Sequence, residues 1–178
     1  MAYVFTESRL GYLQIAQTDA GVTMANGSSA IPTPPNTLGQ VVRAVDPTYG
    51  EGEFIMLVGV ASTAVGSLVT YNATTYQTAL SANTAGLGTP VAVAMSANTA
   101  GLFGWYQIGG LAVIAKTAVQ TTAQVAVYQS ATAGSIMPTA ATGRQILGAR
   151  SANLATVTTT TATLVVSIDR PHLQGQIT

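Results

Sequence analysis

The chain has no cysteine, one histidine and one lysine, and only 7% of its 178 residues are charged. Each shortage removes a class of chemistry. Without cysteine there is no disulfide, no thiolate nucleophile and no cysteine zinc site. One histidine excludes the paired-histidine zinc motifs, and no P-loop is present, because Lys116-Thr117 lacks the preceding glycine. The basic residues Arg9, Arg43, Lys116, Arg144, Arg150 and Arg170 are scattered and balanced by six acidic ones. Nucleic-acid binding by counterion release needs a basic surface, so no nucleic-acid partner is expected.

Long hydrophobic runs are also missing. The longest clean apolar segment is Phe54-Ile-Met-Leu-Val-Gly-Val-Ala61, far short of the about 20 residues of a spanning helix. Aromatics make up 6% of the chain, too few for the girdles of a membrane barrel. No membrane partner is expected. The N-terminus, Met1 to Arg9, has neither a basic n-region nor an apolar h-region, which reads as a chain made and kept in the cytosol.

Charge is absent altogether from Phe54 to Ala115. An ordinary soluble domain is about 25% charged. Zero net charge also removes colloidal protection against self-association. Both features suit a subunit that lives packed against others, with Glu51, Glu53 and Lys116 marking where the domain meets water.

What the chain does have is Ala, Thr, Gly and Val in period two. In Ala162 to Asp169, Ala162, Leu164, Val166 and Ile168 share one face, as in a half-buried strand. Further strands are expected over 40–46, 53–61, 67–71, 90–95, 105–115, 124–129 and 145–151. Gly109-Gly110 should bend or bulge its strand, and the segment 53–61, apolar on both faces, should be central. Many short strands imply an all-β fold, a small barrel or sandwich.

Residues 1–37 read as an extended N-terminal arm or linker. Pro32, Pro34 and Pro35 favour extended backbone, while Tyr3, Val4, Phe5, Leu10, Tyr12, Leu13 and Ile15 supply surface for docking on the domain or on another subunit. Residues 38–170 form the β domain, and 171–178 a C-terminal tail. Ser81-Ala-Asn-Thr-Ala-Gly-Leu87 recurs as Ser96 to Leu102, which predicts two similar turns, with Asn and Gly in left-handed or turn conformations.

Candidate chemistry is thin. His172 follows a proline near the C-terminus and reads as a surface or subunit-contact residue. Asp46, Glu51 and Glu53 fall within eight residues. They could offer oxygen ligands to a hard cation or flank a hydrolytic cleft, but Asp46-Pro47 and Gly50 read as a solvent-exposed turn. Trp105 and Tyr106 point to opposite strand faces, one expected in the core and the other at the surface or an interface. No catalytic, cofactor-binding or metal-binding residue is assigned, and no enzyme activity or cofactor is expected.

Leu38-Gly-Gln-Val-Val-Arg-Ala-Val-Asp-Pro-Thr-Tyr-Gly-Glu-Gly-Glu-Phe-Ile55 resembles structural proteins of tailed phages. So do Val58 to Tyr71, Val91 to Ala97 and Gly104-Trp-Tyr-Gln-Ile-Gly-Gly110. Taken from Leu38 to Arg170, the pattern is similar to capsid cement, or head decoration, proteins. The resemblance implies a non-enzymatic virion protein on the capsid exterior, made in the host cytoplasm. It would be a homo-oligomer, trimer or dimer, whose partner is the major capsid protein. The alternatives are a head fibre, neck or tail component, an exported carbohydrate-binding module, and a hydrolase built on the three carboxylates.

Overall fold

A computed structural model describes residues 1–6, 11–22 and 32–176. Leu10 and the 27–31 part of the Pro/Ser segment lie outside them. The fold is all-β: twelve antiparallel strands form one open, sandwich-like sheet. The strands are β1 (Val4–Phe5), β2 (Thr18–Asp19), β3 (Val41–Asp46), β4 (Gly50–Val58), β5 (Leu68–Tyr71), β6 (Thr78–Leu80), β7 (Val91–Ala94), β8 (Phe103–Ala115), β9 (Ala126–Gln129), β10 (Ile136–Met137), β11 (Gln145–Ser151) and β12 (Thr163–Leu173). No helix among the described residues is long and apolar enough to cross a membrane.

The main path runs β1-β3-β4-β8-β12-β11-β9-β10, with β2 and β7 also on β8 and β5 joining β6 to β7. The long β8 is therefore the hub. Its first half pairs with β4 and its second half with β12. Between them the register slips, because Glu53 faces Gly109 while Phe54 faces Gln107. The expected bulge is present, with Ile108 as the extra residue directly before the glycine pair. Gly110 has φ +90°, and a Cβ there would lie 2.4 Å from the Glu51 carbonyl oxygen, so only glycine suits the site.

Three apolar cores follow from the alternation of side chains. Phe54, Met56 and Trp105 lie on one face of β4 and β8, with Tyr3 and Ile15 of the N-terminal segment closing over them. Ile55, Leu57 and Tyr106 lie on the opposite face, against Val69, Ala92 and Ala94. The other face of β5 and β7, with Leu68, Val91 and Val93, packs on Ile114, Val127, Ile146 and Val166. The β5–β7 layer is thus buried on both sides, which is why Val91 to Ala94 read as a continuous apolar run.

Two expectations change. Trp105 and Tyr106 do point to opposite faces, but both are fully buried, because each face of β8 has its own cover. Lys116 is buried rather than at the water boundary. Its Nζ donates to the carbonyls of Thr117, Val119 and Thr158 at 2.9–3.2 Å, satisfying all three ammonium protons.

β4 begins at Gly50, earlier than the sequence pattern marks. Pro47 to Tyr49 form a three-residue hairpin loop, with Gly50 at φ +72° supplying the left-handed residue. β12 runs on through Pro171 and the buried Leu173. Proline is tolerated there because the β11–β12 register shifts between Leu147 and Ala149, so the missing N–H falls in a bulge.

Candidate functional site

The three clustered carboxylates do not converge. On β3 the side chains of Val42, Ala44 and Asp46 share one face, and Val41, Arg43 and Val45 the other. Pairing places Glu51 opposite Val45 and Glu53 opposite Arg43. Asp46 is therefore on the inner face and the two glutamates on the outer one.

Asp46 is 3% exposed and fully occupied. Its Oδ1 accepts from the N–H groups of Thr48 and Tyr49 at 2.8 and 3.1 Å, and its Oδ2 from Ala2 at 2.5 Å. Burial raises the carboxyl, but the three N–H bonds outweigh it and hold the group below the ordinary carboxylate range. This geometry builds a turn and an N-terminal anchor.

On the outer face, Glu53 receives Arg43 on Oε1 at 3.0 Å and Arg170 on Oε2 at 3.3 Å. Arg43 also reaches Glu51 at 3.5 Å. Two cations and two anions neutralise one another beside the exposed Val41 and Val45. Among the described residues no group of three or more His, Cys, Asp or Glu could hold a metal ion. His172 is exposed on β12 opposite Leu147.

The charge-free stretch is explained in two parts. Its strand residues, on β4 from Phe54 onward and on β5, β7 and β8, are uncharged because they fill the chain's own cores. Its loops are exposed and still carry no charge, so burial does not account for them.

Three of those loops meet at Gly59, where β4 ends. The Gly59 N–H donates to the Leu102 carbonyl at 2.8 Å, and its own carbonyl accepts from Gln77 Nε2 at 3.0 Å. Val60 N–H donates to the Asn98 carbonyl at 3.2 Å, and Val58 N–H to that of Tyr76 at 3.0 Å. The loops 59–65, 72–77 and 97–102 are thus tied into one end of the molecule. This end exposes Ala61, Ser62, Val65, Asn72 to Thr75 and Thr99 to Gly101.

The loop end is held rigidly from below. In the amide orientation that satisfies every partner, Asn98 accepts from the Tyr106 hydroxyl at 2.9 Å and the Gly104 N–H at 3.1 Å, and donates to the Leu102 carbonyl at 3.1 Å. Burial pushes the Tyr106 hydroxyl above its ordinary value, with a hydrogen bond to Thr78 acting the other way. Asn72 Oδ1 caps its own turn by accepting from Thr74 and Thr75. Ser62 and Tyr76, two of four described non-glycine residues at positive φ, both lie in these loops. Such backbone is held only where surrounding structure over-determines it, and it concentrates at functional surfaces.

The repeat contributes one copy to this end. Both copies share a bond from the Thr N–H to the Ala carbonyl two residues earlier, at 2.8 and 3.0 Å, and both place Gly at positive φ. The asparagines differ, since neither is left-handed, Asn83 is exposed and Asn98 is buried. Sequence reading singled out the repeat but missed the convergence. The signal was available: the loops between β4 and β8 are built mainly from Ala, Ser, Thr, Asn and Gly, and none carries a charge.

No family model matches the chain, and no curated protein matches it.

Proposed function

We propose that this chain is a structural virion protein, a capsid cement protein on the outer surface of a tailed-phage head. It bridges major capsid protein subunits and stabilises the shell, and it is not an enzyme. The supporting observation is the uncharged loop end around Gly59. An exposed surface with hydroxyls, amides and Val65 but no charge suits permanent contact with another protein, because little charge has to be desolvated on docking. The resemblance from Leu38 to Arg170 supports the same assignment, and self-association as a trimer or dimer accords with zero net charge.

The copy number in purified virions tests it. Cementing requires a number comparable to that of the major capsid protein, whereas a few copies per particle would move the assignment to a fibre, neck or tail component. Val65→Glu and Thr99→Glu, both at exposed loop positions, should abolish capsid binding while leaving the urea midpoint unchanged. Binding of the unaltered chain should depend only weakly on salt.

A further inference from the structure

Where the N-terminal segment meets the chain entering β3, a shallow cavity of about 510 Å³ opens, within the range of small-molecule sites. Its lining combines the apolar rings of Tyr12, Pro34 and Pro35 with the polar Thr33, Asn36, Thr37 and Gln40. None of the lining residues is charged.

The two amides are held in place by bonds to the N-terminal segment. Asn36 Oδ1 accepts from the Leu13 N–H at 3.1 Å, and Gln40 Nε2 donates to the Tyr12 hydroxyl. Each amide therefore keeps one half for a ligand: the Asn36 NH₂ as donor and the Gln40 Oε1 as acceptor, neither engaged among the described residues. The Thr33 and Thr37 hydroxyls, on exposed residues, add groups that both donate and accept. The rings beside them are packed, since Tyr12 lies 5.7 Å from Phe5 and 6.1 Å from Trp105 between ring centres.

We propose that this cavity binds a neutral sugar, a mono- or disaccharide unit. Neighbouring hydroxyls on a sugar ring both donate and accept, as does the mixed set of amides and hydroxyls here. The C–H face of the ring needs apolar surface, and Tyr12, Pro34 and Pro35 are the apolar residues of the lining. The uncharged lining gives no counter-ion for a uronic acid, a phosphate or an amine. Proline and tyrosine rings would also suit a proline-rich peptide, but such a peptide would leave most of this polar set unpaired, and unpaired polar groups weaken binding.

The site is tested with the full chain, uniformly labelled with ¹⁵N, titrated with methyl glucoside, methyl galactoside, N-acetylglucosamine, glucuronic acid and a proline-rich peptide. At least one neutral sugar should shift the amide signals of residues around Asn36 and Gln40 along a saturating curve, and glucuronic acid should not. Asn36→Asp keeps the acceptor for Leu13 and the side-chain shape but removes the free donor, so sugar affinity should fall about fivefold or more. Thr33→Val with Thr37→Val, at exposed positions, should weaken binding similarly with an unchanged melting temperature. Absence of shifts with every neutral sugar, binding of the peptide instead, or full affinity in Asn36→Asp would each overturn the proposal. None of these outcomes bears on the capsid assignment, which the virion copy number tests separately.

Discussion

Trp105 donates its indole N–H to the backbone carbonyl of Leu13 at 2.7 Å, across 92 residues of sequence. The bond fixes the N-terminal segment over the core of Phe54 and Met56. Trp105→Phe removes the donor, leaves the Leu13 carbonyl unpaired and shrinks a fully buried side chain. The expected loss is about 2–3 kcal/mol in urea unfolding. Because Trp105 is the sole tryptophan, its emission in the unaltered chain reports directly on whether the segment is docked. A loss under about 0.5 kcal/mol, the range of an indifferent surface change, would show the contact to be energetically idle.

Asp46 should make stability fall in acid. Its folded carboxyl lies below the unfolded value of about 3.9. The contribution is therefore complete above that pH and is lost as pH drops through the folded value. Asp46→Asn should lower the urea midpoint by a constant amount at neutral and mildly acidic pH, and the gap to the unaltered chain should close below pH ~4. A gap independent of pH would refute the assignment.

Lys116→Met keeps the apolar stem and deletes the ammonium. The carbonyls of Thr117, Val119 and Thr158 then lose the donor supplied by a side chain that is only 6% exposed. The expected cost is about 2–4 kcal/mol, read as a drop of several degrees in Tm. Lys116→Met melting with the unaltered chain would mean that water replaces the ammonium without penalty.

Gly110→Ala tests the bulge. Alanine at φ +90° with its methyl against the Glu51 carbonyl should cost about 2 kcal/mol or more. Gly101→Ala, also at positive φ but with open space around its Cβ, is the control for backbone strain alone and should cost less. Equal costs for the two would remove the steric argument.

The longer strands are legible because their side chains alternate, and Ala162 to Asp169 needs no more than that. β1, β2, β6 and β10 are not, because two or three residues contain no period. Their pairing is decided by distant partners, as when Val4 meets Val45 or Thr18 meets Gly104. Burial of both Trp105 and Tyr106 was hidden for the same reason: sequence shows that the two faces differ but not that each has a cover. Lys116 misled because a charge marks water unless carbonyls replace it, and carbonyls leave no trace in the side-chain pattern. The loop end at Gly59 was visible in composition, while its gathering into one surface depends on main-chain bonds between segments up to 43 residues apart.

β8 has a further consequence for how this sequence can change. It supplies side chains to all three cores: Trp105 to the first, Tyr106 to the second, and Ile114 to the third. A strand turns over with every single residue. Deleting one residue before Trp105 would exchange the two aromatic rings between cores of different shape and carry the error on to β12. β8 thus behaves as a shared reading frame in space. Substitutions within it can be absorbed locally, but a change in its length is felt in every core at once.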